Sequence, residues 1–111
     1  MGAMSRRKGA AAEREVAELL RSFGFQARRG QQFSGSPDSP DVKHDIPGIH
    51  IECKRTERFS LYPAMEQAKG DRNAGDVPVV FHRQNGRPWV VCMEAADFLA
   101  IMRLVFPKER A

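Results

Sequence analysis

The stretch Ile49–Arg55, with the sequence IHIECKR, has the alternation of a β-strand. Its side chains divide between two faces of that strand, Ile49, Ile51 and Cys53 on one and His50, Glu52 and Lys54 on the other. A carboxylate and an ammonium on the same face indicate either an exposed ion pair, which contributes little to stability, or part of an active site. The remainder of the chain has to distinguish these two interpretations.

The composition is that of one globular domain. The chain has 111 residues, of which 41% are hydrophobic and 29% charged, so it suits a single core and not a disordered chain. Residues 1–3 resemble an expression scar, and we expect one domain over residues 4–111. No apolar run has the length of a membrane span, and no segment has the pattern of a secretion signal. The two cysteines are too few for a disulfide framework or a zinc site, so a cytoplasmic location is expected.

Hydrophobic periodicity and turn residues predict the element order α-β-β-β-α-β-β-α. The predicted helices cover residues 8–23, 61–72 and 94–106, the predicted strands cover 25–28, 41–46, 49–55, 77–82 and 89–93, and residues 30–40 form a loop. Strand 77–82 is the most apolar and is expected at the centre of the sheet. We therefore expect an α/β domain with one mixed sheet of about five strands flanked by helices.

Strands 41–46 and 49–55 are predicted to form a hairpin. With residues 47–48 as its turn, Asp41 lies opposite Lys54 and Lys43 opposite Glu52, which makes Asp41 a diagonal neighbour of Glu52. A register shift of one residue would place Asp41 on the other face. Two adjacent carboxylates repel each other unless a cation lies between them, and Lys54 or a divalent metal would serve. A cluster of exposed ion pairs is the alternative interpretation of the hairpin alone.

Glu13 falls on the apolar side of the first predicted helix. That side is formed by Val16, Leu19, Leu20 and Phe23. Glu15 and Glu18, by contrast, fall on the solvent side. A carboxylate that faces the core is unfavourable unless it is paired or binds a metal. The alternative is that the apolar stripe frays there and Glu13 points into solvent near the start of the helix.

These segments resemble the PD-(D/E)xK nuclease superfamily and, more narrowly, the archaeal-type Holliday junction resolvases. The resemblance rests on KGAAAERE at residues 8–15, SPDV at 39–42 and IHIECKR at 49–55, in the first half of the chain. The second half is similar to phage-type members more loosely. The resemblance implies a restriction-endonuclease-like fold and a metal-dependent endonuclease that resolves four-way DNA junctions.

The resemblance also implies roles for individual residues. Glu13 is the helix carboxylate, Asp41 the metal-binding aspartate, Glu52 the second metal ligand and Lys54 the catalytic lysine. The backbone carbonyl of Cys53 would be a further ligand to Mg²⁺ or Mn²⁺, ions that prefer oxygen donors. The side chain of Cys53 is expected in the core.

The match to the family leaves some positions open. Asp38 competes with Asp41 in the segment SPDSPD, and Asp41 is preferred because a strand begins directly after it. Ser36 corresponds to the serine of the resolvase Gly-Ser only with a slightly different spacing. His50, near the turn, is expected to be a surface histidine. Gln67 either contacts the site or is solvated.

Basic residues occur in clusters on a chain with a net charge of +4 and a pI near 9.5. This bias is compatible with a polyanionic partner and also with solvated surfaces. The predicted DNA-binding residues are Arg6, Arg7, Lys8, Arg28, Arg29, Ser36 and Arg55. If the basic residues contact phosphates, the affinity falls by about one log unit per log unit of salt for each contact.

The last predicted helix is apolar around most of its circumference. The apolar residues are Phe98, Leu99, Ile101, Met102, Leu104, Val105 and Phe106. Because one sheet face cannot cover them all, we expect an isologous homodimer that would place two active sites on opposed strands of a four-way junction. Three alternatives stay open: another nuclease of this fold with duplex or flap substrates, a non-catalytic DNA-binding module, and a small soluble protein with coincidental motifs.

Overall fold

The computed structural model describes residues 2–30 and 42–109, with side chains from residue 9 onward. The described elements are α1 (Gly2–Ser22), β1 (Ala27–Arg29), β2 (Val42–His44), β3 (Ile49–Arg55), α2 (Leu61–Asp71), β4 (Val77–Arg83), β5 (Val90–Cys92) and α3 (Ala95–Val105). The predicted α/β class and element order are confirmed. The loop predicted over residues 30–40 lies outside the described residues except for Gly30. No helix among those described is long and apolar enough to cross a membrane.

The five described strands are distributed over two sheets, and not over the single mixed sheet of about five strands that was expected. β3, β4 and β5 form a mixed sheet with β4 in the centre, parallel to β3 and antiparallel to β5. β1 and β2 form a separate antiparallel pair, in which Arg28 lies opposite Lys43. The central position predicted for the strand beginning at Val77 is confirmed.

The predicted hairpin of the second and third strands is wrong. Lys43 is paired with Arg28 of β1 and not with Glu52, since β2 pairs with β1 whereas β3 pairs with β4. The chain leaves the turn toward β4, where the Val77 N–H donates to the Gly48 carbonyl at 2.7 Å. The hairpin register therefore no longer supports a place for Asp41 beside Glu52, and Asp41 itself lies outside the described residues.

α1 ends in a Schellman motif around Gly24. Gly24 has a φ of +89°, which glycine adopts without strain. Its N–H donates to the Arg21 carbonyl, and the Phe25 N–H donates to the Leu20 carbonyl, so two carbonyls at the helix end are satisfied. The helix begins at Gly2, ahead of the predicted start at residue 8. The prediction rested on the apolar stripe, which begins further along the chain and therefore gives no signal for the first turns.

Two hydrophobic clusters lie on opposite faces of the three-stranded sheet. The cluster under α1 contains Val16, Ala17, Leu20, Val42 and Ile51. The cluster under α2 contains Ala64, Met65, Ala68 and Val80. The sheet thus separates an α1 face from an α2 face, as expected for helices on both sides of a mixed sheet.

α3 has no fully buried residue. Phe98, Leu99, Leu104 and Val105 are all exposed, and Leu104 retains 82% of its accessible surface. The expectation that one chain leaves the apolar surface of this helix uncovered is confirmed. Exposed apolar side chains grouped on one helix are typical of an interface.

Candidate active site

β3 presents its polar and apolar residues to different faces, as the sequence predicts. Ile49, Ile51 and Cys53 pack against the cluster under α1. The prediction that the Cys53 side chain belongs to the core is therefore confirmed. Glu52 lies opposite Val80 of β4, a member of the cluster under α2, which places Glu52 on the α2 face.

Glu52 is buried in contact with His50. The two side chains are only 3% and 6% exposed, and Nε2 of His50 lies 3.0 Å from Oε1 of Glu52. The prediction of a surface histidine at position 50 is wrong. β3 pairs with β4 along its whole length, so His50 lies beside Pro78 in the sheet and not at an exposed turn.

Lys54 follows Glu52 on the same face and is held by α2. Its Nζ donates to Oε1 of Gln67 at 2.7 Å. Gln67 is therefore in contact with Lys54 and is also exposed to solvent, so its role in the site stays a prediction. The bond directs the lysine amine toward α2, on the same face of β3 on which Glu52 lies.

His82 supports the end of β3 and was not found from the sequence. It is the register partner of Lys54, and its Nδ1 lies 2.9 Å from the Lys54 carbonyl oxygen. Because a carbonyl only accepts, Nδ1 carries the proton in this contact. The ring stacks on Phe59 with 3.9 Å between centroids. The third and fourth strands both end in polar residues. Pairing these two strands in parallel would have placed His82 beside Lys54, and this pattern is the signal that could have revealed it.

Glu13 is buried, which confirms its place on the core side of α1. It is 6% exposed, and its Oε1 accepts a hydrogen bond from Nε of Arg29 at 2.7 Å. The alternative of a frayed, solvated Glu13 is wrong. Arg29 is a predicted DNA-binding residue, and this ion pair places it directly beside a predicted site carboxylate.

The described residues account for only part of the predicted metal centre. Within ranges 9–30 and 42–109, no three His, Cys, Asp or Glu side chains converge closely enough to hold a metal ion. Asp41 and its competitor Asp38 lie outside those ranges, as does Ser36. The convergence of Glu13 and Glu52 on Asp41 therefore stays a prediction.

Glu15 is the centre of a charged network that was not predicted from the sequence. We expected it on the solvent side, but it lies against the ends of β3 and β4. Its carboxylate accepts hydrogen bonds from Arg55 Nη1 at 2.8 Å and Trp89 Nε1 at 3.2 Å. Arg83 Nε lies 3.0 Å away as an ion pair, with its guanidinium over the Trp89 ring. A helical wheel separates the core side of α1 from its solvent side, but it cannot show the arginines that other strands bring to Glu15.

The predicted DNA-binding residues lie in different environments. Arg28 is exposed on β1, whereas Arg55 is held by Glu15 on the α1 face of β3. Residues 6–8 belong to α1, but their side chains are outside the described part of the chain. DNA contact stays a prediction for each of them.

A cavity of about 440 Å³ adjoins the site beside His50. Its lining includes Val42, His44, Asp71 and Asp76. Burial lowers the pKa of His44 from its ordinary value of 6.5, and a backbone hydrogen bond to Ile49 opposes this shift. The charges of Asp45 and Asp76 also oppose it, whereas the nearby His50 adds to it.

We expect His44→Asn to reduce the acid sensitivity of the fold. The unfolded chain binds a proton at His44 near pH 6.5, but the folded chain does so only at lower pH, so the free energy of unfolding falls as the pH drops below 6.5. The Ile46 N–H donates to Nδ1 of His44, and an asparagine oxygen can accept this bond without titrating. Urea unfolding measures the free energy of unfolding at about pH 7.5 and about pH 5.5. Between these two values, wild type should lose more of this free energy than the variant. Equal losses would contradict the assignment.

A comparison with known protein families gives a match that includes β3 and nearly all of α1. The family model described as archaeal Holliday junction resolvase matches residues 4–100. The chain belongs to this family. The match contains Glu13, Glu52 and Lys54, and it extends well past the first half of the chain, to which the close resemblance seen in the sequence was confined. Membership implies the nuclease activity of Holliday junction resolvases. A search of curated proteins found no match.

Proposed function

We propose that this protein is a metal-dependent, structure-specific DNA endonuclease that resolves four-way junctions by paired phosphodiester hydrolysis. The observation that carries the proposal is the placement of a buried Glu52 beside Lys54 on one face of β3, in a chain of the resolvase family. Such an activity belongs to DNA recombination and repair.

The residues expected at the metal are oxygen donors. Asp41, Glu52, the backbone carbonyl of Cys53 and Glu13 would hold Mg²⁺ or Mn²⁺, ions that select carboxylate and carbonyl oxygens. The carboxylates of Glu13 and Glu52 are donors of this type. Each accepts at about four lone-pair positions, so the contacts with Arg29 and His50 are compatible with a cation on the same group. When bound, the ion supplies positive charge at the phosphate oxygens and at the leaving 3′-oxygen.

Lys54 acts on the attacking water or on the phosphate. Its amine can orient or deprotonate the water, or it can neutralise charge that develops on the phosphate oxygens. The hydrogen bond to Gln67 limits the positions of the amine. A positioned amine contributes to the rate because it needs no reorganisation during the reaction.

The substrate claim is tested by comparing DNA structures under one set of conditions. Wild-type protein, Asp41→Ala and Asp38→Ala are each incubated with Mg²⁺ and a labelled four-way junction, a matched linear duplex or a flap. We expect wild type and Asp38→Ala to cut the junction preferentially and Asp41→Ala to leave it intact. Equal cutting of all three substrates would contradict the resolvase proposal. No cutting by wild type would favour a non-catalytic DNA-binding module.

A homodimer formed through α3 would supply the paired cuts. The uncovered apolar surface of α3 supports this arrangement, and a groove of about 700 Å³ between α2 and the β5–α3 region adjoins it. The groove is lined partly by Leu61, Val91 and Phe98. An isologous contact would relate two active sites by a two-fold axis, which matches the symmetry of a four-way junction.

Leu104→Glu is expected to convert the dimer to a monomer. Leu104 is exposed in the single chain, so the substitution should leave the fold intact while placing a charge in the apolar interface. Light scattering at micromolar concentration measures the mass. Arg87→Glu, an exposed position in the turn between β4 and β5, is the matched control and should remain dimeric. A monomeric mass for wild type would contradict the dimer.

A further inference from the structure

His50 is a buried histidine to which the proposed reaction assigns no role. It lies two residues before Glu52 on the same face of β3, and its Nε2 is 3.0 Å from the Glu52 carboxylate. Both side chains are more than nine-tenths buried. A carboxylate accepts hydrogen bonds, so Nε2 carries the proton in this contact and the imidazole N–H donates to Oε1.

We propose that His50 is a positioning residue that fixes the Glu52 carboxylate for a divalent cation. The inference rests on the proposed function, in which Glu52 is a metal ligand. A buried carboxylate needs hydrogen-bond donors, and the ring of His50 supplies one from a fixed direction. A carboxylate accepts at about four lone-pair positions, so a bond from His50 is compatible with a cation on the same group.

The sheet makes His50 a rigid support. His50 and Glu52 belong to one strand that is paired with β4 through its full length, where their register partners are Pro78 and Val80. His50 also lines the cavity of about 440 Å³. Val42, which follows Asp41 in the chain, lines the same cavity. Hydrogen-bond partners of metal ligands typically change metal affinity or activity by 10–100-fold when they are removed.

Two substitutions test whether the hydrogen bond to Glu52 matters or whether any polar side chain at position 50 is enough. In His50→Gln the amide nitrogen lies as many bonds from the backbone as Nε2 and can still donate to Glu52. In His50→Asn the amide is one bond shorter and corresponds to Nδ1 of the ring, so it cannot reach. Mn²⁺ is titrated into the DNA-free protein and the unbound ion is measured by electron paramagnetic resonance. We expect affinity about 10–100-fold weaker for His50→Asn and close to wild type for His50→Gln.

Gln84→Asn is the control, because it shortens an exposed side chain in the turn after β4 that donates to the Glu57 carbonyl, and its Mn²⁺ affinity should equal that of wild type. Thermal unfolding establishes that each variant is folded. A folded His50→Asn with wild-type affinity would overturn the inference and leave the proposed function intact. A folded His50→Gln with weakened affinity would overturn it as well, even if His50→Asn did not fold. If wild type bound no Mn²⁺, the metal-dependent function itself would fail.

Discussion

Glu52→Gln should slow cleavage of a four-way junction by at least about a thousandfold while the protein remains folded. Glutamine has the shape of glutamate, and its amide oxygen can still accept from His50, so the packing of this buried side chain is preserved. The substitution removes the negative charge that a divalent cation requires from its ligand. Losing several kcal/mol of cation-dependent stabilisation corresponds to three or more factors of ten in rate.

The comparison needs rates, folding and DNA binding measured on the same preparations. Glu18→Gln is the matched control, since Glu18 is exposed on α1 and should cut at the wild-type rate. Gel-shift binding of the junction without divalent cations should be retained in both variants. A Glu52→Gln protein that is folded, binds the junction and cuts it within tenfold of wild type would remove Glu52 from the metal centre.

The side-chain placements that were predicted correctly depend on periodicity within one element. Alternation along β3 assigns Glu52 and Lys54 to one face and Cys53 to the other, because successive residues of a strand point in opposite directions. Helical spacing places Glu13 with the apolar residues of α1, and it is buried there. Both inferences need only the geometry of a single helix or strand, so the sequence determines them locally.

The errors concern pairing between elements. Pro47 and Gly48 are residues typical of a turn, but a turn signal does not specify which strands pair across it. β2 pairs with β1, and β3 begins its pairing with β4 at Gly48. The mistaken exposure of His50 follows from that error, because a histidine near a hairpin turn would be solvated, whereas one beside Pro78 is buried.

Contacts from distant parts of the chain explain why Glu15 does not lie in solvent as expected. Glu15 was expected in solvent, yet Arg55 and Arg83 reach it from adjacent strands. A pattern along one helix cannot reveal charges that another strand brings to it. The same limit applies to Asp41, because its proposed role depends on its distance from Glu52. Asp41 lies outside the described residues. Its assignment stays a prediction, supported by the order of the family motif.

Lys54→Met is expected to reduce the cleavage rate by about 10²–10⁴-fold, the range typical of a positioned acid–base group. Methionine keeps most of the aliphatic stem but lacks the amine, and Gln67, whose oxygen loses its partner, is exposed and can be solvated. The fold and junction binding should therefore change little. Single-turnover cutting at saturating protein measures the chemical step separately from binding.

Two further variants define what the Lys54 amine does. Lys69→Met is the matched control on α2, where the lysine pairs with Glu94 at the surface, and it should cut at the wild-type rate because exposed ion pairs contribute little. Lys54→Arg retains the charge but cannot give up a proton near neutral pH. Partial activity of the arginine variant would therefore indicate that the charge neutralises the phosphate, whereas activity as low as that of Lys54→Met would indicate proton transfer from the attacking water. Wild-type cutting by Lys54→Met would contradict both roles and leave Lys54 as a structural partner of Gln67.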